Sequence, residues 1–329
     1  MAKFILKRLL MMIPVLLGVM LIVFTLTHLM PGDPVENFLS NNYTQEQYDA
    51  KEAELGLDKP FFTQFFNYVK GIVTGFDLGT SYQSKRPVKT EILERIGTTL
   101  KIGLLGTLVT VILGVPFGII SATKQYSPLD YGITTLSVCL ASMPGFWLAL
   151  MLIIIFSLHL KWFPASGLAS WKAYILPVAS LGLMPVAAVT RMTRSSMLEC
   201  IRADYIRTAR AKGLKEGIVI RKHALRNALI PVVTLIGMQL SVIMGGSVVI
   251  ETIFTIPGLG TLMMTAINTR DYPRIQGIVL VLSMTVCVMN LVVDIVYAAI
   301  DPRIKAQLFG SGGKRRRKKE EAVENAAKA

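Results

Sequence analysis

Cysteine and histidine are scarce in this chain: 329 residues carry three of each. Cys139, Cys200 and Cys287 lie far apart, two of them inside apolar runs, so neither a disulfide framework nor a thiolate metal site follows. His28, His159 and His223 stand apart from one another and from the cysteines, which argues against metal chemistry. A phosphate-cradling G-x-x-x-x-G-K-[ST] loop is also missing. "GSGGKRRRKK" lacks the second glycine spacing and the Ser/Thr, and "PGLGTLM" has only the first two glycines of a dinucleotide fingerprint. No Ser/His, His/Glu or Asp/Asp constellation falls within an apolar run, which argues against an intramembrane hydrolase. An ion-coupled secondary transporter would show paired mid-membrane acids and an inverted repeat, and neither is visible.

What the chain has is hydrophobicity gathered into blocks. Apolar residues make up 52% and charged residues only 17%, the balance of a polytopic membrane protein. A helix needs roughly 20 apolar residues to cross the hydrocarbon core. Six such runs are found, at 9–30, 99–123, 133–158, 174–190, 229–250 and 276–300. The first follows a basic stretch with Lys3, Lys7 and Arg8, as in a secretory signal. It exceeds the usual 7–15 residues of a signal's apolar region, and "MPGDPVENF" offers no small-x-small cleavage site, so it is read as a retained span.

The formal charge of +14 resides mainly between and beyond these runs, which is the pattern of membrane orientation and not of a nucleic-acid binder. With a cytoplasmic N-terminus, the inner segments 1–8, 124–132, 191–228 and 301–329 hold 23 Lys and Arg, against four in the short outer loops 159–173 and 251–275. Six spans then return the C-terminus, with its "KRRRKK", to the cytoplasm. Segment 31–98 is expected outside the membrane, with "TQEQYDAKEAELGL" as an amphipathic helix and "PFFTQFFNYVKGIVTG" as an aromatic-rich helix at the outer interface. The tail 306–329 reads as a disordered basic extension attracted to anionic lipid.

Segment 191–228 carries ten Lys and Arg against three acids, so it must leave the hydrocarbon, yet it is built to be helical. From Arg191 to Ala211 there is neither Pro nor Gly. Met197, Ile201, Tyr205 and Ala209 fall at four-residue spacing as one apolar stripe. Gly213 marks a C-cap, and a second helix leads to Pro231, which is expected to open the fifth span. Such a basic face can simply set topology and touch lipid headgroups. Alternatively, its short side chains at Thr208, Ala209, Ala211 and Gly213 can sink into a groove on a cytoplasmic partner. Polar residues within the apolar runs, Gln239, Ser241, Asn290 and Asp294, and Glu251 at the outer end of the fifth run, are candidates for a substrate path. Asn290 and Asp294 share a helical face, and an ion pair from Asp294 to a residue such as Arg191 is the competing structural role.

"DYIRTARAKGL…HALRNALIP" closely resembles the cytoplasmic loop of permease subunits of ATP-binding-cassette importers, in the dipeptide, oligopeptide and nickel family. "MPGDP", "ELGLDKP", "RMTRSSMLE", "ETIFTIPGLG", "RDYP", "IQG" and "DPRI" are similar to that family in the same order, over about residues 1–305. The likeness is greatest to the first permease of a dipeptide transporter. It implies an all-α membrane protein of six transmembrane helices: an N-terminal span (1–30), an extracytoplasmic segment (31–98) and a five-helix type I core (99–305). It makes Asp204, Arg207, Thr208, Ala209, Arg210, Ala211, Lys212 and Gly213 the element coupled to ATPase subunits. Where the wider superfamily has Glu and Ala, this chain has Arg207 and Thr208, so a salt bridge from that Glu is not expected. The implied partners are a second homologous permease, two ATPase subunits and an extracytoplasmic binding protein, in a bacterial inner membrane. ATP and Mg would be held by those ATPases, with no cofactor in this chain. Sister systems of the resemblance carry nickel, haem-like or glycan ligands, which remain open at this point.

Overall fold

A computed structural model describes residues 2–31, 33, 35–36, 39 and 43–300. The expected basic tail, "KRRRKK" and the "DPRI" motif lie outside the described residues. Twelve α-helices form among the described residues. Three precede the core: α1 (Ala2–Leu29), α2 (Gln45–Leu55) and α3 (Phe61–Gly75). The core is α4 (Val88–Thr123), α5 (Pro128–Ser142), α6 (Gly145–Leu152), α7 (Ile175–Arg202), α8 (Asp204–Ala211), α9 (Glu216–Ile218), α10 (Leu225–Ile253), α11 (Leu259–Asn268) and α12 (Tyr272–Ile300).

Five helices are each long and apolar enough to cross a membrane, and a sixth crossing requires α5 and α6 together. That pair is not the straight span expected at 133–158. It bends by 104° at Met143–Pro144, where Met143 ends α5 in extended backbone because proline disfavours helical geometry in the residue before it, and Pro144 caps α6. A π-helical stretch, Ile153–His159, continues α6. Two other boundaries also differ from the apolar runs. α4 begins at Val88, taking the charged stretch "VKTEILERIGTT" into the helix, and Pro231 lies inside α10 instead of opening it.

The spans alternate in direction, so the bundle has two ends. One end gathers the α4–α5 turn, the close of α7, α8 and the start of α10; this is the α8 end. The opposite end gathers α3, the start of α4, α11 and the start of α12. α2 lies outside the bundle. Thr44 caps it in a reciprocal capping box with Gln47; no residue of α2 is fully buried, and Tyr48, Lys51, Glu52 and Leu55 are half-buried along one face. α3 packs Phe61, Phe65 and Tyr68 around Phe24 of α1 and leaves Phe62, Phe66 and Val73 exposed.

The tightest contact in the bundle is α4 against α7, and glycine makes it possible. Gly106, Gly114 and Gly118 recur on one side of α4 and meet Leu181, Val189 and Thr193 of α7. A methyl group at Gly182 of α7 would stand 2.6 Å from the Gly106 carbonyl oxygen. Thr110 donates to the Gly182 carbonyl at 2.7 Å and Thr190 to the Gly114 carbonyl at 3.3 Å. In lipid, where hydrophobicity alone drives no helices together, close backbone approach and such cross-helix hydrogen bonds supply the attraction. α1 is held to α12 at both ends. Gln276 donates to Thr27 at 2.7 Å, and Arg8 pairs with Asp294 at 3.1 Å.

Candidate functional site

The α8 element begins with a break that the sequence pattern does not announce. Ala203 is extended, with φ −70° and ψ 149°, so α7 and α8 are separate helices and the stripe expected from Met197 to Ala209 is reset. Ile206 and Ala209 are the buried residues of α8. They pack with Met197 of α7, Ala122 of α4, and Val219, Ala224 and Ala228 on the approach to α10. Tyr205, expected on that stripe, is exposed and its hydroxyl accepts from Asn227 at 3.2 Å. Ala209, expected on the outer docking face, is turned into the protein at 7% exposure.

The outward face of α8 therefore consists of Asp204, Arg207, Thr208, Arg210 and Ala211, followed by Lys212 and Gly213, all exposed. Gly213 has φ +74°, the left-handed region that favours glycine, and closes the turn through its N–H to the Arg210 carbonyl at 2.9 Å. A Cβ there would meet nothing within 4 Å. Arg210 grips Glu216 across the turn with Nε and Nη2 at 3.1 and 2.6 Å. That paired carboxylate raises the Arg210 guanidinium above its ordinary pKa. Arg207 and Asp204 sit 3.5 Å apart and fully in solvent reach, a pair of little energetic weight. The expected second helix is not separate: α9 and a π-helical turn, Val219–Ala224, run directly into α10.

The polar residues expected on a substrate path are not gathered into one place. Gln239 lines a cleft of about 340 Å³ between α6, α7 and α10, with Phe146, Met184 and Val242 among its walls. Ser241 donates to Asn290 at 2.9 Å, joining α10 to α12. Asp294 reaches Arg8 of α1, not Arg191. Glu251 is fully buried. Its Oε2 accepts from Gly260 N–H at 2.6 Å, and its carboxylate fills the space that side chains at residues 258 and 260 would need. That position makes Glu251 a fastener for the loop before α11.

Two buried polar networks were missed by sequence reasoning. At the α11 end, Arg274 binds Glu91 with Nε and Nη2 at 2.6 and 2.7 Å, and Ser84 donates to the same carboxylate at 2.8 Å. Asp271 accepts from the Ser81 hydroxyl at 2.5 Å and the Tyr82 N–H at 3.1 Å. At the α8 end, Arg194 binds Asp130 with Nε and Nη2 at 3.0 and 2.9 Å, and both groups meet Ser121. The two arginine–carboxylate pairs join residues 183 and 64 positions apart in the chain. The periodic signals used to read helices carry no information on such pairings.

The family profile described as "Binding-protein-dependent transport system inner membrane component" matches residues 114–306, and its N-terminal companion matches residues 1–103. The dipeptide transport system permease protein of Alkalihalophilus pseudofirmus is 41% identical over 93% of this chain and 100% of its own length. The glutathione transport system permease protein of Pectobacterium atrosepticum is 44% identical over 93% and 99%. The oligopeptide transport system permease protein of Bacillus subtilis is 40% identical over 93% and 100%. Among solved structures, the methionine ABC transporter in an inward-facing conformation is similar in fold, with a TM-score of 0.55 at 17% identity over 65% of this chain and 97% of that chain.

Proposed function

We propose a function from one premise: this chain belongs to the family of binding-protein-dependent transport system inner membrane components. It acts as a permease subunit of an ATP-binding-cassette importer of peptides. Relatives at 40–44% identity along nearly their whole length are permeases for dipeptides, glutathione and oligopeptides, ligands that share a short peptide backbone. That shared chemistry favours peptides over nickel, haem-like or glycan cargo. A second permease completes the path, an extracytoplasmic binding protein delivers the ligand, and separate ATPase subunits hold ATP and Mg. The α8 end then faces the cytoplasm, together with the N-terminus.

The observation that carries this reading is the construction of α8. It is bonded to the bundle by Ile206 and Ala209, while its opposite face is exposed, basic and built from short side chains around Thr208, Ala211 and Gly213. Such a face can sit in a groove of a soluble partner, and the buried face passes movement to α7 and α10. No single cavity gathers the polar candidates, in keeping with a weakly binding path whose specificity lies in the binding protein.

The test is reconstitution of the full chain with its second permease, ATPases and binding protein in vesicles. Thr208→Trp, on the outer face of α8, should abolish ATP-driven peptide uptake and co-purification of the ATPases while the chain still inserts. Uptake by the chain without ATPases, or unchanged uptake in the variant, would overturn the reading.

A further inference from the structure

Between the α4–α5 turn and the last three turns of α7 lies an open groove of about 900 Å³, which neither α8 nor the Gln239 cleft accounts for. Its charges are unevenly compensated. Arg194 is neutralised by Asp130 through two hydrogen bonds. Arg202 spends one N–H on the side-chain oxygen of Gln125 at 3.3 Å and meets no carboxylate. Arg191 is exposed and makes no ion pair or hydrogen bond with any described residue. Glu199 is the other acid on the wall, so the groove carries a net positive charge.

The position of this charge narrows what it can serve. Arg191 lies eleven residues before the end of α7, roughly 16 Å inward along the helix axis. It is the first charged residue after the apolar run 174–190, which puts it at the boundary between headgroups and hydrocarbon. Tyr126 and Tyr131 stand exposed at the groove, and Leu129 and Leu136 are exposed on another face of α5. Tyrosine rings with one wet end favour the membrane interface, and exposed leucines on a spanning helix favour acyl chains. A partly enclosed basic site between spans, with aromatic and aliphatic flanks, matches a phosphodiester headgroup attached to two hydrocarbon chains.

We propose that this groove binds the headgroup of an anionic phospholipid from the leaflet at the α8 end, with Arg191 against the phosphate and Arg202 at the mouth. The bound headgroup supplies the counter-charge that the protein withholds from Arg191. Its acyl chains lie along α5. The site adjoins the Asp130–Arg194 bridge that ties α5 to α7, so occupancy stabilises that contact.

The experiment uses the full chain purified in neutral detergent and titrated with phosphatidylglycerol or phosphatidylcholine, with bound lipid counted by native mass spectrometry. Phosphatidylglycerol is expected to be retained in preference to phosphatidylcholine. Arg191→Gln should weaken its binding about fivefold, and the pair Arg191→Gln with Arg202→Gln about 30-fold, from the attraction of one basic residue for an anionic surface. Arg191→Lys should keep most of the binding, and Arg207→Gln on α8 should leave it unchanged. Equal retention of the two lipids, or an unaltered affinity in Arg191→Gln, overturns the proposal. A second measurement avoids dependence on the arginine variants. With the three native cysteines replaced by alanine, Ser195→Cys on the groove wall should be alkylated more slowly in phosphatidylglycerol than in phosphatidylcholine. Protection by a dipeptide and not by the lipid would assign the groove to a solute instead.

Discussion

Removing Arg274 should destabilise the protein far more than removing Arg274 and Glu91 together. Both side chains are only 6–7% exposed, and Arg274 satisfies both oxygens of the Glu91 carboxylate. In Arg274→Met, Glu91 keeps only the Ser84 hydroxyl, and a buried carboxylate without its cation costs about 3–5 kcal/mol. Asp271 is 3.7 Å from the same guanidinium but keeps the Ser81 hydroxyl and Tyr82 N–H, so its loss adds little. In the double variant Glu91→Leu with Arg274→Met, neither member of the pair is left without the other, and Asp271 loses the guanidinium equally in both variants. The remaining cost is the lost partner of the Ser84 hydroxyl, about 1 kcal/mol. Arg274→Met alone should therefore be about 2–4 kcal/mol less stable than the double variant, roughly 30- to 1,000-fold in the unfolding constant, and the coupling between the two positions exceeds this by the cost of leaving Arg274 unpaired in Glu91→Leu. Equilibrium unfolding in mixed micelles measures it as a double-mutant cycle, repeated at high salt, to which a buried pair should be almost indifferent. Additive effects below about 1 kcal/mol each would refute the reasoning and show that water reaches the pair.

Three further outcomes follow from the packing. Gly118→Val places branched carbons against the Thr190 carbonyl and Thr193; it should cost about 3 kcal/mol and separate α4 from α7, seen as lost protection of α7 in hydrogen exchange. Ile206→Asp puts an unpaired carboxylate into the cluster under α8; it should loosen α8 and expose it to protease, whereas Arg207→Asp on the outer face should leave the fold intact. In a cysteine-free background, membrane-impermeant thiol reagents should label Asp49→Cys from outside and Lys215→Cys only from inside, and the reverse pattern would invert the orientation.

The spanning helices were legible because the bilayer imposes one dominant demand, about 20 apolar residues per crossing. The resemblance of "DYIRTARAKGL" marked α8 for the same reason that its composition stood out: charge and small size between two apolar runs. What escaped was information held in pairs of distant residues. Glu91 was placed in an external segment because its neighbours Lys89, Glu94 and Arg95 are charged, yet its partner Arg274 lies 183 positions away. Ala209 was assigned to the outer face for its small size beside Gly213, but it is enclosed with Met197; the extended backbone at Ala203 instead displaces Tyr205 from the stripe to the surface. Asp294 shares a face with Asn290 as the period requires, but their partners sit on two different helices, α1 and α10. The bend at Pro144 was visible as a proline. Its size follows from how α6 packs against α7, which the residue alone does not encode.

The way α8 is anchored decides what a push on it can move. Met197 belongs to α7, Val219, Ala224 and Ala228 belong to the continuous helix that becomes α10, and Ile206 and Ala209 are enclosed among them. Close-packed interiors transmit displacement because their side chains cannot compress, so a force on α8 loads α7 and α10 at once. α7 cannot yield alone, since its glycine-lined contact with α4 leaves no space for sliding. Three spans thus move as one body. The bend at Met143–Pro144 has neither a through-going helical ladder nor a buried charge pair to stiffen it. Hinge motion gathers at such element boundaries, so an opening of the bundle is expected to be taken up where α6 meets α5, beside the cleft that Gln239 lines.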